Sequence, residues 1–218
     1  MKKLTFFLLA VFGLLVSCNN KTEVQNNVLT TNDTTEYLDC TTPVCTILLQ
    51  PYDKSAEKYA KDVSKTLKER IESMDYICVQ QVKVLPIKQL PDTLLNQAKI
   101  RYRATKILDF QKQSHHKSHD VIIGVTSSDI STSIHGYQDY GIQGLAYMGQ
   151  ENCVVSTYRL KNKKDLWKPM VHEFFHAFMH MPHCPADDPT CIMQDGHGKP
   201  NWTKRTKICN KCLGYDAQ

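Results

Sequence analysis

The chain has 218 residues, of which 41% are hydrophobic and 22% charged, a composition typical of a globular protein with one domain, or one domain and an appendage. Its formal net charge is +5, which falls to +3 (25 minus 22) if Lys2 and Lys3 belong to a segment that is removed. This excess is too small and too dispersed to favour a nucleic acid as partner, so we expect none.

The amino terminus has the features of a bacterial export signal. Residues 1–17 contain two lysines followed by an apolar run that is too short to cross a membrane comfortably, which predicts a secretory signal peptide. The sequence LVSC at 15–18 resembles the lipobox of bacterial lipoproteins, whose cysteine is lipidated and becomes the mature amino terminus. We therefore expect a protein of the cell envelope that is anchored to a membrane through lipid on Cys18.

Residues 18–43 are expected to form a flexible tether that starts at the lipidated cysteine. They are rich in Asn and Thr and contain few large apolar residues, so they cannot bury enough surface to become ordered. We expect the folded part to begin at residue 44, with a larger subdomain at 44–178 and a small carboxy-terminal subdomain at 179–218.

Strands and helices are expected to alternate along the folded part, which predicts an α/β (mixed α+β) fold. Hydrophobic periodicity predicts helices at 55–72 and 99–113, and strands at 46–50, 77–84, 120–125, 141–149 and 153–159. The strand DVIIGV at 120–125 is the most apolar and is expected to be central. Residues 126–140 are polar and are expected to form turns, and Arg101 and Arg103 are expected to lie on a solvated helical face.

The most informative stretch is HEFFHAFMHMPHC at 172–184. It contains the pattern His172-Glu173-x-x-His176, and on one helix the two histidines would project from the same face, one turn apart. Two neutral imidazoles at this spacing can bind one Zn²⁺, with the intervening glutamate beside the metal's open position. Pro169 fits the first turn of such a helix.

A catalytic zinc generally has three protein ligands, so a third must follow the helix. No Glu follows Glu173, which leaves as candidates His180, His183, His197, Asp187, Asp188 and Asp195. His180 would lie about 12 Å from His172 along the helix axis, too far to share an ion with it. Pro182 disfavours helix at the preceding residue, so His183 is the preferred ligand, and an aspartate remains the alternative.

The remaining conspicuous group is cysteine. The thiols of Cys184, Cys191, Cys209 and Cys212 include a CxxC pair and could bind a structural zinc in a closed tetrahedral site. Disulfides are the alternative, because an exported protein meets an oxidising compartment. Cys78 and Cys153 fall in predicted strands and are expected to be buried thiols.

Taken together, the motifs resemble those of the archaemetzincins, a branch of the metzincin metallopeptidases. The matching residues around the helix are His172, Glu173, His176, His183, Cys184, Cys191, Met193, Cys209 and Cys212. Six upstream segments also resemble the family: 48–53, 82–87, 101–104, 124–132, 141–146 and 154–160. The resemblance implies a metzincin-like twisted mixed sheet with an active-site helix, followed by a small Cys-rich, zinc-bound carboxy-terminal subdomain.

The resemblance also implies an activity, the hydrolysis of peptide bonds in a peptide or protein substrate. A catalytic zinc would be held by the three histidines, and Glu173 would activate its water. The resemblance favours zinc over disulfides at the four cysteines, so we expect two Zn²⁺ per chain, in a monomer. Met193 would be the Met-turn residue beneath the metal, and Gly144, Leu145 and Ala146 would lie in the cleft-edge strand, where extended substrates could add.

Two positions depart from the family pattern. The family has Gly three residues after the second histidine, where Met179 stands here, and its third histidine comes one position earlier, where Pro182 stands here. Because Met179 cannot easily adopt the positive φ that Gly allows, we expect the extra residue to let the chain turn differently. The rival interpretation of the whole chain is a non-catalytic lipoprotein that uses zinc only for stability or partner binding.

Overall fold

The computed structural model describes residues 43–74, 77–113, 117–134, 136–186, 188–196 and 201–214. The expected signal peptide, Cys18 and all but the last residue of the expected tether lie outside these ranges, as do Asp187 and His197. Within them, no helix combines the length and apolar character needed to cross a membrane.

Eight strands and three helices are assigned in the described ranges. The strands are β1 (Val44–Pro51), β2 (Cys78–Val84), β3 (Tyr102–Arg103), β4 (Asp120–Thr126), β5 (Ile130–Ile134), β6 (Tyr137–Ile142), β7 (Gly144–Ala146) and β8 (Asn152–Ser156). The helices are α1 (Lys54–Glu72), α2 (Ala104–Lys112) and α3 (Trp167–Met179). The mixed α/β fold expected from the alternation of elements is confirmed.

The main sheet has five strands in the order β2-β1-β4-β8-β7. All neighbours are parallel except β7, which runs antiparallel to β8 and forms one edge of the sheet. Strand β4 is central, as its apolar sequence predicted. A second sheet has the order β3-β5-β6, with β3 parallel to β5 and β5 antiparallel to β6.

Helices cover both faces of the main sheet. Helices α1 and α3 share one core with Val155 and Cys153 of β8, whereas α2 packs with Val154 on the opposite face. Successive side chains of a strand point to opposite faces of the sheet. Because both faces of β8 are covered by helices, its odd- and even-numbered positions are both apolar. Cys153 is fully buried as expected, but Cys78 is only half-buried because β2 is an edge strand.

The polar stretch 126–140 is not a run of turns, as expected from its composition, but contains β5 and most of β6. The prediction was wrong because this hairpin exposes much of its surface to solvent, so its strands do not need a continuous apolar pattern. Main-chain pairing between β5 and β6 orders the segment instead.

Helix α2 begins at Ala104, five residues later than predicted, and the arginines before it are not on a solvated helical face. Arg101 Nε donates to Asp129 Oδ2 at 2.7 Å, and Arg103 lies within ion-pair distance of Asp139. These charges are paired in the fold, which holds the chain extended ahead of the helix and ties it to the β5–β6 sheet.

Helix α3 carries the predicted metal pattern. Phe174 and Phe175 are fully buried against the sheet, and the expected Pro169 lies in the first turn. The helix ends at His180, which has a left-handed φ of 54° and donates its N–H to the Phe175 carbonyl. The described chain after this point has turns and one isolated bridge, Cys191 with Lys207, but no helix or strand.

Candidate metal centre

Two imidazoles face each other at the centre of the molecule. His172 and His176 lie one turn apart on α3 and are each less than 10% exposed. Their Nε2 atoms are 3.2 Å apart, and their rings meet edge-on. The four-residue spacing on a helix therefore brings the two side chains together, as the sequence predicted.

The main chain determines which nitrogen of each ring carries the proton. His172 Nδ1 lies 2.8 Å from the Ile192 carbonyl oxygen, and His176 Nδ1 lies 2.6 Å from that of Met181. A carbonyl oxygen can only accept, so both Nδ1 atoms must donate. Burial lowers the pKa of His172 well below its ordinary value and that of His176 to about 4, so both rings are neutral near pH 7.

Two unprotonated Nε2 lone pairs therefore point toward each other at 3.2 Å. They cannot hydrogen-bond, because neither ring has a proton left on that side. Tetrahedral zinc with Zn–N distances of 2.0–2.1 Å would separate its nitrogen ligands by about 3.4 Å. The donor set of this structure thus fits a divalent cation such as zinc.

His183 completes the group. One nitrogen from each of His172, His176 and His183 lies within 4.8 Å of the others. The ring of His183 is stacked 5.3 Å from His172 and edge-on 4.8 Å from His176, measured between centroids. Its Nδ1 lies 3.9 Å from an Asp195 carboxylate oxygen.

The turn before His183 departs from the family pattern as the extra residue suggested. Positive φ is adopted by His180, one residue after Met179, rather than by Met179 itself. The Met181 N–H also reaches the Phe175 carbonyl, so the helix closes with two bonds to the same oxygen. After this turn the ring of His183 lies against those of His172 and His176.

The other candidate ligands within the described chain lie elsewhere. The ring of His180 packs where a Cβ of Gly149 would be. The carboxylate of Asp188 accepts from the Thr190 N–H and hydroxyl and lies 4.0 Å from Lys207 Nζ. Asp188 itself lies between Cys184 and Cys191 in the sequence. Asp195 is beside His183 rather than among the Nε2 atoms. Among the described candidates, the geometry therefore favours His183 over Asp188 and Asp195 as third ligand.

Glu173 is buried against the edge strand β7. Only 7% of the residue is exposed, and burial raises the pKa of its carboxyl to about 8. A Cβ on Gly144 would lie 2.4 Å from Glu173 Oε1, closer than any real contact. Gly144 is thus the position where β7 needs glycine, because the carboxylate packs directly on its backbone.

A cleft of about 750 Å³ runs over this group. Gly144, Leu145 and Ala146 line it, and β7 pairs with β8 alone among the described strands, so its other edge is unpaired within this part of the chain. The exposed side chains of Tyr137 and Met148 add to its apolar wall. The predicted cleft-edge strand is therefore in the position to pair with an extended chain.

The four cysteines form a second group. Cys184 Sγ lies 3.5 Å from Cys209 Sγ, and Cys191 Sγ lies 3.8 Å from Cys212 Sγ. All four sulfurs lie within 4.8 Å of one another, and all four are free thiols. A tetrahedral zinc with Zn–S distances of 2.3 Å separates its sulfurs by about 3.8 Å, so this group also fits zinc.

Met193 links the two groups. It is fully buried, and its carbonyl accepts from the Cys184 N–H at 2.8 Å. The residue before it, Ile192, supplies the carbonyl that orients His172. The turn predicted to lie beneath the metal thus shares its backbone with both candidate sites.

Three residues of the cleft were missed in the sequence. Trp202 donates from Nε1 to the Gln143 side chain at 2.7 Å, and its ring meets His172 edge-on. Arg159 and Arg205 also line the cleft. Arg159 ends the strand predicted at 153–159 and lies in the family-like segment 154–160, but that pattern gave no role to its side chain. Trp202 and Arg205 fall in a segment without hydrophobic periodicity or a motif.

No family model matches the chain. An archaemetzincin of Halobacterium salinarum is 29% identical over 128 residues, which cover 52% of this chain and 69% of the relative. An archaemetzincin of Haloquadratum walsbyi is 28% identical over 121 residues, covering 49% of this chain and 65% of the relative.

Solved structures share the fold. The archaemetzincin of Methanopyrus kandleri superimposes with a TM-score of 0.61 at 20% identity, covering 78% of this chain and 92% of the other. A zinc-dependent peptidase from Methanocorpusculum labreanum gives 0.61 at 21% identity, with 78% and 98% covered. The Archaeoglobus fulgidus archaemetzincin, complexed with malonate, gives 0.59 at 21%, with 78% and 99% covered. The chain thus has the archaemetzincin fold and is similar in sequence to archaemetzincins over about half its length.

Proposed function

We propose that the protein is a zinc-dependent peptidase of the archaemetzincin type, which hydrolyses peptide bonds in extended substrates. The observation that carries this proposal is the pair of neutral imidazoles whose Nε2 lone pairs meet at 3.2 Å beside a buried carboxylate. Similarity to archaemetzincins supports it from the side of sequence and fold.

His172, His176 and His183 would hold the catalytic zinc through their Nε2 atoms. When bound, the ion would act as a Lewis acid that acidifies a water molecule and polarises a peptide carbonyl. The carbonyls of Ile192 and Met181 keep two of the rings in the tautomer that a metal requires.

Glu173 would act as the general base and then as the general acid. Its carboxylate lies in the cleft, shielded from bulk solvent, and the residue follows His172 directly and precedes His176 by three positions. It would accept a proton from the attacking water and pass that proton to the leaving amine. Burial favours the protonated carboxyl and a nearby cation favours the carboxylate, so the group is poised for both roles.

A peptide substrate would bind along β7. Its main chain would pair with the free edge formed by Gly144, Leu145 and Ala146, antiparallel or parallel to that strand. This pairing would hold a peptide carbonyl in front of Glu173, because Gly144 lets the carboxylate contact the strand backbone.

The four cysteines would bind a second, structural zinc. Their segment lacks helices and strands in its described part, and their sulfur spacing suits a closed site. We also propose that the protein is exported and carries lipid on Cys18. Support for export comes from the sequence of residues 1–18 alone.

The two metal sites predict a defined stoichiometry. Purified mature protein should contain about two zinc ions per chain by elemental analysis, since each donor set completes one tetrahedral site. His183→Ala should lose about one of them and keep its fold, whereas Cys209→Ser should lose the other and unfold more readily. Asp195→Asn is the control for an aspartate ligand and should retain both ions. One zinc per wild-type chain would contradict the assignment of two sites.

Glu173→Gln should retain zinc but lose hydrolysis, because the amide cannot accept the proton of water. We expect kcat to fall by about 10²- to 10⁴-fold, the usual contribution of general acid–base catalysis. The measurement is cleavage of a peptide library, followed by mass spectrometry, before and after chelation and zinc addition. Unchanged turnover in the variant would remove Glu173 from the mechanism, and a library left intact by wild-type protein would favour the non-catalytic lipoprotein.

Gly144→Ala should act through Glu173. The new Cβ would meet the carboxylate at 2.4 Å, so the side chain must rotate or β7 must shift. We expect a fall in kcat of about tenfold or more from the displaced base, with zinc content unchanged. A crystal structure of the variant, measured beside its kinetics, would show which group moved. Wild-type kinetics with an undisplaced Glu173 would contradict this contact.

Lipidation is tested in bacterial cells that process lipoproteins. A radiolabelled fatty acid should be incorporated into the wild-type protein and not into Cys18→Ser, because only a thiol accepts the lipid. The wild type should sediment with membranes, and the variant should not. Equal labelling of both proteins would show that Cys18 is not the anchor.

A further inference from the structure

Arg205 is a buried cation in the wall of the cleft. Only 4% of the residue is exposed, although it lines the same cleft as His172 and Glu173. Its guanidinium carbon lies 4.9 Å from the centre of the Trp202 ring, which in turn meets His172 edge-on. The charge of Arg205 contributes to the lowered pKa of His172, as expected for a cation next to the histidine group.

The guanidinium has few partners of its own. Nη2 donates to the Asp195 carbonyl at 3.1 Å, out of five N–H donors that the group carries. Cys191 and the Asp195 carboxylate both attract the guanidinium, but no salt bridge joins it to a carboxylate of the described chain. A buried charge without an ion-pair partner is costly, so this position favours binding of an anion.

Arg159, the other arginine of the cleft, has a carboxylate partner. Its Nε and Nη2 donate to the two carboxylate oxygens of Asp129 at 2.7 and 2.8 Å. This is a two-bond pair in the planar geometry that arginine and carboxylate prefer. Arg159 therefore has a carboxylate partner at hydrogen-bond distance, whereas Arg205 has none among the described residues.

The stack of Trp202 and Arg205 lies next to the expected substrate strand. Trp202 donates to the side chain of Gln143, the residue directly before β7. A peptide paired with β7 would therefore bring a neighbouring side chain, or its own carboxy terminus, within reach of this stack.

We propose that Arg205 binds a carboxylate of the substrate and makes the cleft selective for peptides with an acidic group close to the cleaved bond. The inference rests on the proposed peptidase function and adds a substrate class to it. The carboxylate belongs to an Asp or Glu side chain or to the carboxy terminus of a short peptide, two sources that share one chemistry.

The first test uses wild-type protein and matched peptides. Each pair differs only by Glu against Gln at one position within three residues of the cleaved bond, and a further pair ends in a free acid against an amide. We expect kcat/KM to be at least about tenfold higher for the acidic member at one position, the usual effect of a charge-assisted hydrogen bond. The position at which it appears distinguishes a side chain from a terminus. Equal cleavage within every pair would overturn the inference but leave the peptidase in place.

The second test compares Arg205→Gln with Lys204→Gln. Lys204 is exposed and does not line the cleft, so its variant controls for the loss of one positive charge. Arg205→Gln should remove the preference, so that kcat/KM for the acidic peptide falls by about tenfold more than kcat/KM for the neutral one, whereas Lys204→Gln should leave the ratio of the two as in the wild type. Arg205→Lys keeps the charge and should keep part of the preference, even if Arg205→Gln folds poorly. An equal fall for both peptides in Arg205→Gln and Arg205→Lys would indicate a structural role and overturn the inference.

A binding measurement separates recognition from catalysis. In the Glu173→Gln background, fluorescence anisotropy of labelled peptides should show the same tenfold preference for the acidic member. Adding Arg205→Gln should abolish that preference. If binding depends on Arg205 but the wild-type protein cleaves no peptide, the result would support the carboxylate site and reject the peptidase. Binding without preference would reject the carboxylate site.

Discussion

The arrangement of this protein depends on two nitrogen lone pairs that meet at 3.2 Å. The carbonyls of Ile192 and Met181 take the only proton of each ring, so His172 and His176 cannot satisfy one another. Such an arrangement is stable with a cation between the rings and unfavourable without one. Helix α3 supplies the two rings, and the chain that follows it supplies the two carbonyls. The candidate site therefore needs both the helix and the segment after it.

The main sheet contributes the strand against which Glu173 packs. Strand β7 ends the main sheet and leaves one backbone edge in the cleft, and Gly144 lets the Glu173 carboxylate lie directly against that edge. In the proposed function, Glu173 as the base would be positioned by the same strand that would position the substrate. The cleft also holds two arginines, and only Arg205 lacks a carboxylate partner in the described chain, which is why it is the one assigned to substrate.

The carboxy-terminal chain holds these parts together without helices or strands in its described residues. The buried ammonium of Lys168, on α3, donates to the Trp202 carbonyl, and the Cys184 N–H donates to Met193. The four thiols gather between these contacts. The described part of this region has no helix or strand, so a metal bound by the thiols would contribute to the free energy that orders it.

The sequence by itself determined the α/β class, the central strand at 120–125, helix α3 and the facing of His172 and His176, because hydrophobic and helical periods are local properties. It misplaced the start of α2 and missed the β5–β6 hairpin, whose solvated strands have no apolar pattern. The tertiary structure decided the tautomers of the histidines, the return of His183 through the turn at His180, and the placing of Arg205 beside the site. These features depend on contacts between residues that are far apart in the sequence, so they cannot be predicted from a local pattern.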